Sequence, residues 1–127
     1  MNSKKIKPHF KKKNNPRVGL IVLSTDVMIE KDFTKVFNGI SVDLFINRIT
    51  NYNPVTAENL IKMTKSITSV TENILPGEKV DCIVYGCTSG TIVSGYDNIK
   101  KKINIAKPDA SVTAPSTAAL NALKKKN

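Results

Sequence analysis

A thiol, two hydroxyls and a glycine stand in consecutive positions at Cys87, Thr88, Ser89 and Gly90, directly after the apolar run Cys82 to Tyr85 and Gly86. A β-prone run that ends in glycine and delivers a thiol describes a strand feeding a loop. In open α/β sheets ligands collect at the carboxyl ends of the strands, so bare N–H groups and hydroxyls placed there suit an anionic substrate. A thiolate in that position can take a proton from carbon or attack an alkene. A free cysteine is mostly protonated at neutral pH, and a helix start just beyond it favours the charged form. The Thr88 and Ser89 hydroxyls, with the neighbouring N–H groups, could hold a carboxylate and stabilise the enediolate left when a proton or CO2 departs from the adjacent carbon. The chemistry indicated is cysteine chemistry on a small acid.

Each residue also has a structural reading. A cysteine at a strand end can be an inert small residue, and Thr88 and Ser89 can cap the following helix. Cys82 reads as a small core residue in mid-strand. An odd spacing of five sends Cys82 and Cys87 to opposite faces, which argues against a disulfide between them. Ser24, Thr25 and Asp26 follow an earlier apolar run and serve either as substrate contacts or as N-caps. Asn47, Tyr52 and Tyr96 are weaker candidates, with packing as the alternative.

Charge and composition narrow the classes. The chain has 127 residues and a formal net charge of +10. Lys4, Lys5, Lys7, Lys11, Lys12, Lys13 and Arg17 carry seven positive charges and Lys124 to Lys126 three more, so Val18 to Leu123 is balanced at ten against ten. The excess therefore reads as solvated tails around a neutral body, with no specific nucleic-acid site. The single histidine, His9, falls among the N-terminal lysines. That placement argues against a histidine-based triad, and one histidine with two cysteines makes a poor metal shell. No apolar stretch has the length of a signal peptide or a membrane span, so a soluble, cytoplasmic protein is expected.

These residues need a scaffold, and the pattern supplies one. Val18 to Leu23 reads as a strand covered on both faces. A helix follows to Asn38-Gly39, then a strand over Val42 to Ile46 and a loop over Asn47 to Val55. Thr56 caps a long amphipathic helix that reaches about Leu75 before Pro76-Gly77. Val80 to Tyr85 is the third strand. A short helix from Ser89 or Gly90 follows, then a turn or two over Asp97 to Ile105, a strand near Ser111 to Ala114, and an alanine-rich helix running into the last lysines. The expectation is a three-layer α/β domain with a four-stranded parallel sheet over residues 17–123. Basic tails over 1–16 and 124–127 flank it.

GLIVLSTD at Gly19 to Asp26, NRITNYNPVTAENL at Asn47 to Leu60, ILPGEKVDCIVYGCTSGT at Ile74 to Thr91 and KPDASVTAPSTAALNAL at Lys107 to Leu123 together resemble the Asp/Glu racemase superfamily. The nearest likeness is to the branch with maleate cis-trans isomerases, arylmalonate decarboxylases and ectoine-utilisation (EutA) proteins. The resemblance implies one half of a fold built from two similar α/β halves around a shared site. It further implies a cofactor-independent, cysteine-dependent isomerase, racemase or decarboxylase of small carboxylates, with Cys87 as catalytic cysteine and Thr88, Ser89, Ser24 and Asp26 near the substrate. A role in ectoine catabolism follows from the same likeness. The second half, with its own cysteine loop, has no counterpart here, so either a second copy in a homo-oligomer or a separate chain would have to supply it. The alternative is a truncated or split member that is inactive alone and at most binds a carboxylate or a partner half.

Overall fold

A computed structural model describes residues 15–126. Most of the basic N-terminal stretch expected as a tail, and Asn127, lie outside the described residues. Four strands, β1 (Arg17–Leu23), β2 (Asp43–Ile49), β3 (Cys82–Tyr85) and β4 (Ser111–Thr113), form one sheet in the order β2-β1-β3-β4. All its pairings are parallel. Six helices connect and follow them: α1 (Ile29–Val36), α2 (Ala57–Met63), α3 (Ile67–Glu72), α4 (Thr88–Ser94), α5 (Tyr96–Ala106) and α6 (Pro115–Lys126). The expected α/β class and four-stranded parallel sheet are present.

Alternation along β1 builds both layers. Ile21 joins Ile49, Met63, Ile67, Ile83, Tyr85, Ile99 and Ile103 in the larger core. Leu20 and Val22 point the other way, joining Val84 and the partly buried Ile29 and Phe33 of α1. The first core is deep; the second is shallow, because α1 contributes no buried residue. Cys82 lies on that shallow face and is only half-buried, not the core residue expected from its place in a strand.

Among the boundaries that differ from expectation, those of β2 and of the helix after Thr56 do so for identifiable reasons. β2 continues to Ile49 instead of stopping at Ile46, pairing Ile21 with Asn47, Val22 with Arg48 and Leu23 with Ile49. Its polar residues are tolerated because each finds a partner: Asn47 Nδ2 donates to the Val70 carbonyl at 2.9 Å and Arg48 donates to the carbonyls of Leu23, at the end of β1, and Asp26 beyond it. The helix expected from Thr56 to Leu75 divides into α2, a single 3₁₀ turn at Thr64–Ser66, and α3. Thr64 Oγ1 donates back to the Ile61 carbonyl and Ser69 Oγ to that of Ser66, bonds that compete with the helical ladder and bend it.

The turn into β3 is tied from beneath. Leu75 takes φ 47° and Gly77 φ 77°, and the buried Lys107 donates from Nζ to the Leu75 and Glu78 carbonyls at 2.8 Å each. α6 begins at Pro115, since proline suits the first position of a helix. Its last turn carries Lys124 to Lys126.

Candidate functional site

The chain leaves β1 to one side of the sheet through α1 and β2, then returns past β1 to β3 on the other. The strand order therefore reverses between β1 and β3, whose carboxyl ends define a crevice suited to ligands. Two loops emerge there together: Ser24 to Asp26 after β1 and Gly86 to Cys87 after β3. Gly86 N–H donates to the Ile21 carbonyl at 2.9 Å, laying the second loop directly against β1.

Cys87 is the N-cap of α4. Its backbone is extended (φ −134°, ψ 105°) and its sulfur accepts from the Gly90 N–H at 3.2 Å. The helix thus starts at Thr88, and the capping role open to Thr88 and Ser89 falls to the cysteine itself. Both hydroxyl residues are exposed. Ser89 Oγ lies 3.8 Å from the sulfur. Thr91, which the sequence reading passed over, is buried and donates from Oγ1 to the Cys87 carbonyl at 2.6 Å. Cys87 itself is 4% exposed in the isolated chain, packed in the larger core. The two cysteines are free and on opposite faces of the sheet, as their spacing predicts.

Glycine at position 90 has a local cause. A Cβ there would stand 2.9 Å from Cys87 Sγ, 3.0 Å from Tyr85 Oη and 3.3 Å from Met63 Cε. Three side chains therefore converge on the space that glycine leaves. Tyr85 is wholly buried, and burial pushes its phenol pKa well above the usual range, with the neighbouring Cys87 as a further cause.

The first loop is held by a different set. Asp26 Oδ1 accepts from the Met28 and Ile29 N–H groups at 2.8 and 2.9 Å, capping α1. Those two bonds hold its carboxyl below the usual value of 3.8, and the nearby Arg48 guanidinium adds to the effect. Arg48 donates from one nitrogen to the Leu23 and Asp26 carbonyls at 3.0 and 2.8 Å, and from the other to Glu30 at 2.7 Å. Ser24 Oγ donates to Asn51 Oδ1 at 2.7 Å. The structure thus places Ser24 and Asp26 at the same edge as Cys87, but bonds them to Asn51, Arg48 and α1 and not to the sulfur. Arg48 and Asn51 escaped the sequence reading because both lay in a stretch read as loop. An arginine two residues from the apolar Ile46 was the available signal.

Asp26→Ala is expected to destabilise the fold by about 1 kcal/mol, the ordinary worth of an N-cap. The folded carboxyl has the lower pKa, so this contribution is full above the unfolded value and lost as pH falls through the folded one. Thermal melts of the two proteins should therefore differ near pH 6 and converge well below pH 3.8. A difference that persists undiminished in acid would contradict the capping role.

The remaining candidates are engaged elsewhere. Asn47 supports α3 as described, and Tyr96 Oη donates to the Val112 carbonyl at 2.8 Å. Tyr52 lies under Lys62, whose Nζ is 4.2 Å from the ring centroid. Among the described residues no three of His, Cys, Asp and Glu come together. No helix described is long and apolar enough to cross a membrane. A groove of about 280 Å³ between Gly77 to Val80 and Ala106 to Ala110 lies at the opposite, amino edge of β3 and β4, remote from the cysteine.

Neither a family model nor a curated protein sequence matches the chain. Among solved structures it is similar to the maleate isomerase Iso from Pseudomonas putida S16, with a TM-score of 0.68 and 18% identity. The likeness covers 86% of this chain and 48% of that one. At this identity it establishes a shared fold, and the chain spans about half the length of its neighbour.

Proposed function

We propose that the protein contributes one half of a cysteine-dependent site for isomerisation, racemisation or decarboxylation of a small carboxylate, with Cys87 as the reacting group. The observation that carries this reading is the position of the Cys87 sulfur. It lies where the strand order reverses, on a fold shared with a maleate isomerase. Addition of the thiolate to an alkene carbon of a cis-dicarboxylate would move charge onto a carboxylate. Rotation about the resulting single bond and expulsion of the sulfur would then give the trans acid with no net gain or loss. Proton abstraction beside a carboxylate uses the same two elements, a sulfur base and donors for the enediolate. Thr88 and Ser89, whose hydroxyls do not cap the helix, would supply such donors. Ser24 and Asp26 line the neighbouring loop, with Arg48 and Asn51 holding its shape.

The extent of the likeness, which ends at half of the neighbour, favours completion of the site by a partner. α6 packs on α4, yet Ile92, Val93, Leu120 and Leu123 are 69, 40, 56 and 62% exposed. Apolar side chains left open on adjoining elements mark an interaction surface. We assign the partner as a second copy of this chain, related by a two-fold that brings two Cys87 loops to one cleft. Sedimentation at micromolar concentration should show a dimer. A clean monomer would rule out the homodimer and point to the second reading, a split protein that is inactive until a separate chain joins it.

Turnover is tested directly by incubating the purified chain with maleate, arylmalonates, optically active amino diacids and acids from ectoine breakdown, following products by chiral chromatography. Conversion of at least one class is expected. No conversion of any by the dimer would overturn the catalytic reading.

A further inference from the structure

We propose that Tyr85 is a positioning residue for Cys87, its buried phenol O–H donating to the sulfur when the sulfur is a thiolate. The inference rests on the proposed function only in taking that sulfur as the reacting atom. Tyr85 is 0% exposed, and its Oη is buried without a partner at full hydrogen-bond geometry. A donor left in that state costs stability, and phenylalanine would fill the same space without the cost. The hydroxyl and the sulfur meet at one place: Oη and Sγ both border the space above Gly90, at 3.0 and 2.9 Å from where a Cβ would stand. A neutral thiol is a weak acceptor, whereas a thiolate accepts strongly, so ionisation of the sulfur is the event that satisfies the phenol.

Beside the pair stand the Met63 methyl of α2 and, from α4, the Gly90 N–H and Ser89 Oγ. The phenol's raised pKa has burial as its first cause and Cys87 as its second, with no Asp, Glu, Lys or Arg among the causes. Two donors, Tyr85 O–H and Gly90 N–H, would then converge on one sulfur. Two hydrogen bonds to the charged form favour that form.

The test uses the full chain carrying Cys82→Ser, so that one thiol remains, and follows the Cβ chemical shift of isotopically labelled Cys87 against pH. In Tyr85→Phe the midpoint should move up, with less thiolate at a given pH. The thermal midpoint should stay level or rise, because an unpartnered hydroxyl has been removed. Fluorotyrosine at position 85, a stronger donor that differs by one atom, should move the Cys87 midpoint down and carries the test if the phenylalanine variant fails to fold. An unchanged midpoint in cooperatively folded protein overturns the proposal. Turnover is not read, so a normal pair of shifts in a protein without activity would overturn the carboxylate reading and leave this one standing.

Discussion

Cys87→Ser is expected to keep the fold and to lose about a thousandfold or more of any carboxylate turnover. The fold should survive because a serine oxygen is a better N-cap than sulfur and can accept the same Gly90 N–H. The Thr91 hydroxyl binds the backbone carbonyl of residue 87, which the substitution leaves in place. The chemistry should not survive, since a serine hydroxyl is far too weak an acid to serve as its alkoxide without a neighbouring base. No histidine stands among the described residues to act as one. The measurement pairs product formation with a thermal melt. A well-folded serine variant that keeps a tenth of the wild-type rate would remove Cys87 from the mechanism.

Gly86→Ala should produce the largest loss of stability among single substitutions near the site, about 3 kcal/mol. A Cβ on Gly86 would stand 2.9 Å from the Ile21 carbonyl oxygen and 2.8 Å from Ile29 Cδ1. The isoleucine methyl can turn aside. The carbonyl cannot, because it belongs to the central strand β1 and already accepts from the Gly86 N–H. Relief therefore requires the β3 loop to lift from β1, combining the strain of an overpacked core with a lost hydrogen bond. For a domain of this size the thermal midpoint should fall by roughly 10 °C or more. Gly90→Ala is the informative contrast, because the nearest atoms to its Cβ would be the ends of the Cys87, Tyr85 and Met63 side chains and not a carbonyl of another strand. It should cost half as much or less in urea denaturation, yet displace the sulfur and the phenol. Equal losses at the two glycines would show that the loop does not rest on β1 as described.

How much of this was legible beforehand depends on the range of the interaction. The run VGLIVL, the caps and turns, and the strand ending in Gly86 before Cys87 depend on residues within a few positions of one another. Sequence alone therefore determined the order of strands and helices, the parallel sheet, the opposite facing of Cys82 and Cys87, and the place of the thiol at a helix start. Tertiary structure decided what distant segments do to those elements. Arg48 and Asn51 hold the Ser24 to Asp26 loop across 22 to 27 residues of chain. β2 runs to Ile49 because β1 offers it partners as far as Leu23, a register no local pattern shows. Burial went against expectation at Cys82 because the α1 layer is shallow. Likewise, Cys87 is covered although it leaves the end of a strand, because it faces the deeper core. Periodicity tells which way a side chain points, but how much then lies over it is set by elements packed from elsewhere in the chain.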